Sequence, residues 1–207
     1  MRIIKTDACV AEGAAWLAKH EPKFADALQD TGALPLRLKP DGFSELLNAI
    51  IGQQVSVASA NAIWTRMQAA GMDVQDSVAA ASEDDLRACG LSKQKIRYAG
   101  ELARADIDYD ALKTMPSADV IKTLVKVPGI GPWTAEVYTM FSLGHADVFP
   151  PGDLALQEAA KVLFDLPERP KEKAFREMAL DWSPWQSVAA RILWSYYKVI
   201  KSREGTR

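Results

Sequence analysis

VPGIGPWTAEVY, residues 127–138, places two glycines and two prolines between two apolar runs. Glycine tolerates positive φ and carries no side chain, so the backbone can turn sharply and another molecule can approach its N–H groups closely. Pro132 suits the first turn of a helix, where the missing N–H costs nothing. The stretch therefore predicts a short turn that opens directly into a helix and exposes backbone amides at the helix start.

The composition excludes several classes of protein. The 207 residues are 48% hydrophobic and 25% charged, which is typical of a compact globular protein. No apolar run is long enough to span a membrane, and the N-terminus lacks the pattern of a signal peptide. Two cysteines, Cys9 and Cys89, cannot build a disulfide framework or a metal cluster. We therefore predict a cytoplasmic protein with no membrane partner, and nothing in the sequence indicates an oligomer.

Apolar residues recur at helical spacing through most of the chain, which predicts an all-α fold. Candidate N-caps are Asp41, Ser56, Ser92, Asp153 and a capping box formed by Ser82 and Asp85. We expect two helical lobes with a cleft between them, one from about 40 to 145 and the other from 1–39 plus 146–207. Residues 1–40 are the hardest to assign, and PLRLKP at 35–40 is the one candidate strand.

The exposed amides have a clear chemical use. Backbone N–H groups at a helix start, together with the positive end of the helix dipole, bind phosphate oxygens. Such contacts suit a chain whose formal net charge is −2, because they need no cluster of lysines. The alternative is a tight helix–helix connection with no ligand. Likewise Asp153, which follows a proline-stiffened approach, is either a simple N-cap or a functional acid.

Three segments carry a family resemblance. LVKVPGIGPWTAEVYTMFSLGHADVFPPGDLALQ, residues 124–157, resembles the signature of helix-hairpin-helix DNA glycosylases, in which a Gly/Pro-rich hairpin precedes one essential aspartate. FSELLNAIIGQQVSVASANAI, residues 43–63, and WSPWQSVAARILWSYY, residues 182–197, resemble the DNA-3-methyladenine glycosylase II branch. The resemblance implies two lobes with a helix-hairpin-helix motif beside a DNA-binding cleft. It also implies excision of alkylated purines from double-stranded DNA, the first step of base excision repair.

The resemblance gives Asp153 the position of the catalytic acid. A fixed carboxylate there would stabilise positive charge on the deoxyribose as the N-glycosidic bond breaks, and could orient the attacking water. Bifunctional relatives carry a lysine two residues after the last hairpin glycine, where this chain has Trp133. We therefore predict a monofunctional enzyme. The iron–sulfur loop of another branch needs four cysteines after the catalytic helix, and no cysteine follows Cys89.

The resemblance also assigns the base pocket and the wedge. Trp133 and Trp194 match aromatic pocket positions, and Tyr138 is a nearby candidate although Val137 falls where the best-known relative has tyrosine. Stacking on electron-rich rings suits an electron-poor alkylated purine. In GQQVS, Gln54 matches the residue that fills the gap left by the extruded base, or is simply an exposed turn residue, and Gln53 could support the same loop. Trp182 and Trp185 match the WxPW motif, but a tryptophan at helical spacing is more often a packing residue than a ligand contact, and the motif does not change this for either.

The hairpin should hold the strand near the lesion. Gly129 and Gly131 would bring their amides to phosphate, and Thr134 would add a hydroxyl. In relatives the hairpin carbonyls also hold a sodium or potassium ion when DNA is bound. The corresponding carbonyls belong to Val125, Val127 and Ile130. Lys93, Lys95 and Arg97 are candidates for further phosphate contacts, or else form a solvated helix face.

Three alternatives stay open at this point. The first is a glycosylase for another damaged base, such as an oxidised purine, against which the missing lysine and cysteines count. The second is a helix-hairpin-helix module that binds DNA without chemistry, which would need neither Asp153 nor the Trp-rich tail. The third is an unrelated helical protein whose hairpin is accidental.

Overall fold

The computed structural model describes residues 1–205, and the chain divides into two compact units. The first unit comprises Met1–Leu38 and Thr139–Arg207, and the second comprises Lys39–Tyr138. The second boundary therefore falls inside a helix, several residues before the position near 145 that the sequence suggested.

The described residues form thirteen α-helices and one 3₁₀ helix, which confirms the all-α prediction. Ile3 and His145 form an isolated antiparallel bridge inside the first unit, and 35–40 contains no regular structure. The helices are α1 (Asp7–His20), α2 (Pro22–Thr31), α3 (Phe43–Gly52), α4 (Val57–Ala69), α5 (Gln75–Ala80), α6 (Glu83–Ala88), α7 (Lys93–Arg104), α8 (Tyr109–Leu112), α9 (Ser117–Leu124), α10 (Pro132–Phe141), α11 (Leu154–Leu163), α12 (Glu172–Ala179), the 3₁₀ helix (Leu180–Trp182) and α13 (Gln186–Gly205).

Side-chain caps fix the starts of several helices. Ser56 and Ser92 accept hydrogen bonds from backbone N–H groups of α4 and α7, and Ser82 forms the predicted capping box. The prediction for α3 was wrong by one residue, because Gly42, at φ 95°, occupies the N-cap position. The carboxylate of Asp41 is instead paired with the ammonium of Lys113 at 3.0 Å.

The second unit packs α3 and α7 against one another. The buried face of α3 carries five apolar side chains in an i, i+3, i+4 pattern, which is why this short helix is stable only in contact with its neighbours. These residues are Phe43, Leu46, Leu47, Ile50 and Ile51. Hence α3 delivers the GQQVS bend to a fixed position at its C-terminal end.

The first unit has an aromatic core. Trp182 and Trp185 are 3% and 2% exposed, so the interpretation of both as core residues is correct. Trp182 contacts the aromatic rings of four residues, namely Phe24, Phe149, Phe164 and Phe175. Trp185 packs against Gly13 so closely that a Cβ there would lie 2.7 Å from its ring. This core anchors α11, whose N-cap is Asp153, and α13, which carries Trp194.

Within residues 1–205, no helix combines the length and apolarity needed to cross a lipid bilayer. The same residues contain no group of three or more His, Cys, Asp or Glu side chains arranged to hold a metal ion.

Candidate functional site

The Gly/Pro-rich hairpin joins α9 to α10 and is a tight turn. The N–H of Ile130 donates to the carbonyl of Val127 at 3.0 Å. Gly129 adopts φ 97°, a conformation that side chains rarely allow. A Cβ at this position would also lie 2.5 Å from Cγ of Tyr98. The sequence needs glycine here for both reasons, so the hairpin conformation is built into the chain.

The hairpin exposes backbone amides where α10 begins. Among residues 1–205, no group accepts a hydrogen bond from the N–H of Gly129 or Gly131. Nothing lies within 4 Å of a Cβ placed on Gly131, whereas its carbonyl accepts from the N–H of Ala135. Thr134, in the first turn of α10, is 6% exposed. Open amides of this kind at a helix start suit an anion.

The hairpin carbonyls differ in their hydrogen bonding. The carbonyl of Val127 accepts from Ile130, whereas those of Val125 and Ile130 accept from no group within the described part of the chain. The carbonyl of Gly129 accepts from Nε2 of Gln53 at 2.9 Å. Two carbonyls therefore keep both lone pairs, and hard oxygen donors of this kind suit a small cation.

Asp153 is the N-cap of α11. Its Oδ1 accepts from the N–H groups of Ala155 and Leu156 at 2.9 and 3.0 Å. The side chain is half-buried, and the N–H of Asp153 itself donates to the carbonyl of Pro150. Capping and chain stiffness therefore hold this carboxyl group in one orientation. The two interpretations of Asp153 from the sequence, a helix N-cap and a functional acid, are therefore compatible, because the cap hydrogen bonds fix the carboxyl group.

The three predicted pocket aromatics have different environments. Trp133, in the first turn of α10, is 44% exposed. Trp194 is half-buried on α13 and packs against Phe141 with ring centroids 5.7 Å apart. Tyr138 is buried, and its hydroxyl accepts from the N–H of Gly42 at 2.8 Å. Burial raises the pKa of Tyr138 to about 12, so the hydroxyl remains neutral. Tyr138 thus has a structural contact that the sequence did not indicate.

The two glutamines of the GQQVS bend have different environments. Gln54 is exposed and adopts φ 56°, in the left-handed region. Gln53 is half-buried and binds the hairpin through the carbonyl of Gly129. The structure therefore connects this bend to the hairpin directly, within the second unit.

The prediction that Lys95 contacts phosphate or belongs to a solvated helix face is wrong. Only 9% of Lys95 is exposed, and its Nζ donates to the carbonyl of Ile51 at 2.6 Å. The one signal in the sequence was its register, since Lys95 adjoins Ile96 and precedes Ala99 by four positions on the apolar side of α7.

Comparisons with known proteins place the chain in a family. Residues 47–184 match the family model of the HhH-GPD superfamily of base excision DNA repair proteins. The Bacillus subtilis protein YfjP is 30% identical over 179 residues, which are 80% of this chain and 62% of YfjP. The chain thus spans less than two thirds of that relative's length.

Two solved structures cover nearly the whole chain. The DNA-3-methyladenine glycosidase of Bacillus halodurans has a TM-score of 0.83 and 30% identity, over 98% of this chain and 95% of that one. The Schizosaccharomyces pombe 3-methyladenine DNA glycosylase Mag1, solved with abasic DNA, has a TM-score of 0.77 and 26% identity, over 88% and 95%. The chain therefore belongs to the HhH-GPD superfamily of base excision DNA repair proteins, in the branch of the DNA-3-methyladenine glycosylases.

Proposed function

We propose that this protein is a monofunctional DNA glycosylase that extrudes alkylated purines from double-stranded DNA and hydrolyses their N-glycosidic bond. It acts as a monomer in the cytoplasm and starts base excision repair. The observation that carries the proposal is the fixed carboxyl group of Asp153, one helix after a hairpin with open amides, in a chain of this family.

The hairpin binds the DNA backbone. The N–H groups of Gly129 and Gly131 meet phosphate oxygens, and the missing side chain at Gly131 lets the strand approach closely. Thr134 follows in the first turn of α10, and its hydroxyl is the third group assigned to this contact. This binding mode explains how a chain of net charge −2 holds a polyanion, since the attraction comes from local dipoles.

Asp153 supplies the chemistry. As the bond to a cationic base breaks, positive charge develops on the deoxyribose, and a carboxylate held by two amides stabilises that charge without reorganising. The same group orients the water that adds to the sugar. Because the alkylated base leaves as a neutral molecule, the reaction needs little help on the leaving group.

Aromatic rings bind the extruded base, and a glutamine fills the gap that it leaves in the duplex. Trp133 and Trp194 stack on the extruded purine, and the buried ring of Tyr138 supports the pocket, its hydroxyl already bound by Gly42. Gln54 enters the duplex and fills the gap, where its amide can pair with the orphaned base. Gln53 holds Gln54's loop against the hairpin.

The protein needs no organic cofactor or iron–sulfur cluster for this reaction. The carbonyls of Val125, Val127 and Ile130 hold a sodium or potassium ion once DNA is bound, and the first and last of these have unused lone pairs among the residues described. The ion would neutralise phosphate charge at the hairpin. Since Trp133 stands where a bifunctional relative has lysine, no Schiff base with the sugar forms.

The decisive experiment is excision from methylated duplex DNA, with released bases identified by chromatography. The wild type releases methylated purines and leaves an unbroken strand at the abasic site. Asp153→Asn keeps the cap, because asparagine caps helices as well as aspartate does, but excision falls by about 10²–10³-fold as one stabilising group is lost. Asp108→Asn is the matched control, since Asp108 caps α8 through the N–H of Ala111 at 2.9 Å.

A folded Asp153→Asn variant with wild-type excision would refute the catalytic role. Covalent trapping of the protein on the abasic strand by borohydride would refute the monofunctional mechanism and leave the glycosylase assignment intact.

A further inference from the structure

The bend that carries Gln54 is not a conformation the chain adopts unaided. We name Gly52–Val55, which is the last residue of α3 and the three residues that follow it, the wedge loop. Gln54 has φ 56° in this loop, which for a residue other than glycine is uncommon and requires support from neighbouring groups. The support therefore has to come from contacts beside Gln54 in the chain.

The first contact is made by Lys95. Its buried ammonium group lies 2.6 Å from the carbonyl oxygen of Ile51, in the last turn of α3 and directly before the wedge loop. The last carbonyls of a helix have no partner inside the helix, and the helix dipole makes this end negative. The ammonium group of Lys95 both donates a hydrogen bond to one of these carbonyls and places a positive charge at the negative helix end. It therefore fixes the end of α3, where the wedge loop begins.

The second contact joins the wedge loop to the hairpin. Nε2 of Gln53 donates to the carbonyl of Gly129 at 2.9 Å, and the ring of Tyr98 lies directly beneath the same glycine. Lys95 and Tyr98 are three positions apart on α7, so one turn of this helix contacts both loops. The hydroxyl of Tyr98 in turn accepts from Nε2 of Gln94 at 2.8 Å.

The wedge loop also has room to move if a contact is lost. A cavity of about 250 Å³ lies between the wedge loop and α7, and its lining includes Gln54, Ser92, Gln94, Lys95 and Tyr98. Space of this size accepts a glutamine side chain. Without the ammonium group, Gln54 could therefore turn inward instead of outward.

We propose that Lys95 is a positioning residue, which holds the end of α3 so that Gln54 stays exposed and aligned with the hairpin. The inference rests on the proposed function of Gln54 as the residue that fills the DNA gap. It predicts that Lys95 acts on double-stranded substrate in particular. In a duplex the extruded base leaves a gap in the stack, whereas in single-stranded DNA the base is already unstacked and no gap has to be filled.

The experiment compares single-turnover excision from methylated duplex and methylated single-stranded oligonucleotides. Lys95→Met, which keeps most of the side-chain length but has no ammonium, should lower the duplex rate at least tenfold and the single-strand rate less than twofold. Lys95→Arg, which keeps a donor, should recover most of the duplex rate. Lys19→Met is the matched control on the exposed side of α1.

A double-mutant cycle separates positioning from general loss of structure. In a Gln54→Ala background, Lys95→Met should reduce the duplex rate less than twofold further, because the side chain that it positions is already gone. Equal losses on duplex and single strands, or full additivity with Gln54→Ala, would overturn the proposal. If Lys95→Met does not fold, Lys95→Gln gives the same comparison. A wild type that excises nothing from either substrate would instead refute the proposed function.

Discussion

The two hairpin glycines should respond in opposite ways to the same substitution by alanine. Gly129 has φ 97°, and a Cβ there would lie 2.5, 2.7 and 2.8 Å from three carbon atoms of Tyr98. Gly131 has an ordinary φ, and a Cβ there would meet nothing within 4 Å. The space next to Gly129 is therefore filled by Tyr98, whereas the space next to Gly131 is open and could accept a DNA strand.

From these geometries we estimate the change in unfolding free energy and in DNA affinity for each variant. In Gly129→Ala the backbone strain costs about 1–3 kcal/mol and the overpacking against Tyr98 costs another ~1–3 kcal/mol of unfolding free energy. Gly131→Ala restricts the unfolded chain and should raise stability by about 0.4–1 kcal/mol. If its new methyl group displaces one hydrogen bond to phosphate, worth about 1.5–3 kcal/mol, the Kd for DNA rises roughly 10- to 150-fold.

Two measurements test the pair. Urea unfolding gives the free energy of unfolding of each variant, and fluorescence anisotropy with a duplex containing an abasic-site analogue gives the Kd at one fixed salt concentration. Gly131→Ala should be at least as stable as the wild type yet bind weakly. Gly129→Ala should unfold at lower urea, and its folded fraction should be measured before its binding is interpreted.

Wild-type affinity in Gly131→Ala would refute the idea that the strand approaches the amides of this hairpin. Equal stability of the two variants would refute the steric argument at Gly129, because the same methyl group would then meet no resistance from Tyr98.

Two further predictions concern buried polar groups of the first unit. Arg191 is fully buried, donates to the carbonyls of Leu36 and Ser187, and lies over the ring of Phe141. Arg191→Met removes these hydrogen bonds and should lower the free energy of unfolding, measured by urea titration, by about 2–4 kcal/mol. A loss below ~1 kcal/mol would contradict this prediction. Burial lowers the pKa of His145, so its neutral form stabilises the fold above the unfolded value of about 6.5, and this contribution is lost as pH falls through the lowered pKa. His145→Gln should flatten the dependence of unfolding free energy on pH between 7 and 5, and an unchanged slope in this variant would contradict the assignment.

Features set by neighbouring residues could be predicted from the sequence. Ser56, Ser82, Ser92 and Asp153 were all identified as N-caps, because a cap depends on a side chain and on amides two or three positions away. The hairpin was predictable for the same reason. Its glycines and prolines specify the turn locally.

Features set by distant contacts could not be predicted. Lys95 is buried because its partner is a carbonyl 44 positions earlier, and Arg191 because its partner Leu36 is 155 positions away. The carboxylate of Asp41, predicted to cap α3, likewise has a distant partner, since it is paired with Lys113. A lysine or arginine is normally read as a surface residue, and only the fold reveals which carbonyls need a donor.

The capping geometry of Asp153 also bears on catalysis. An electrostatic catalyst is effective when its charge is already oriented before the reaction begins, because no free energy is then spent on turning it. The two amides that cap α11 hold Oδ1 of Asp153 in this way, so its capping contact is compatible with the catalytic role that we propose for it. The two roles separate only under a substitution that keeps the acceptor and removes the charge. Asparagine does this, and a charged but longer glutamate would do the reverse, keeping the charge and losing the cap.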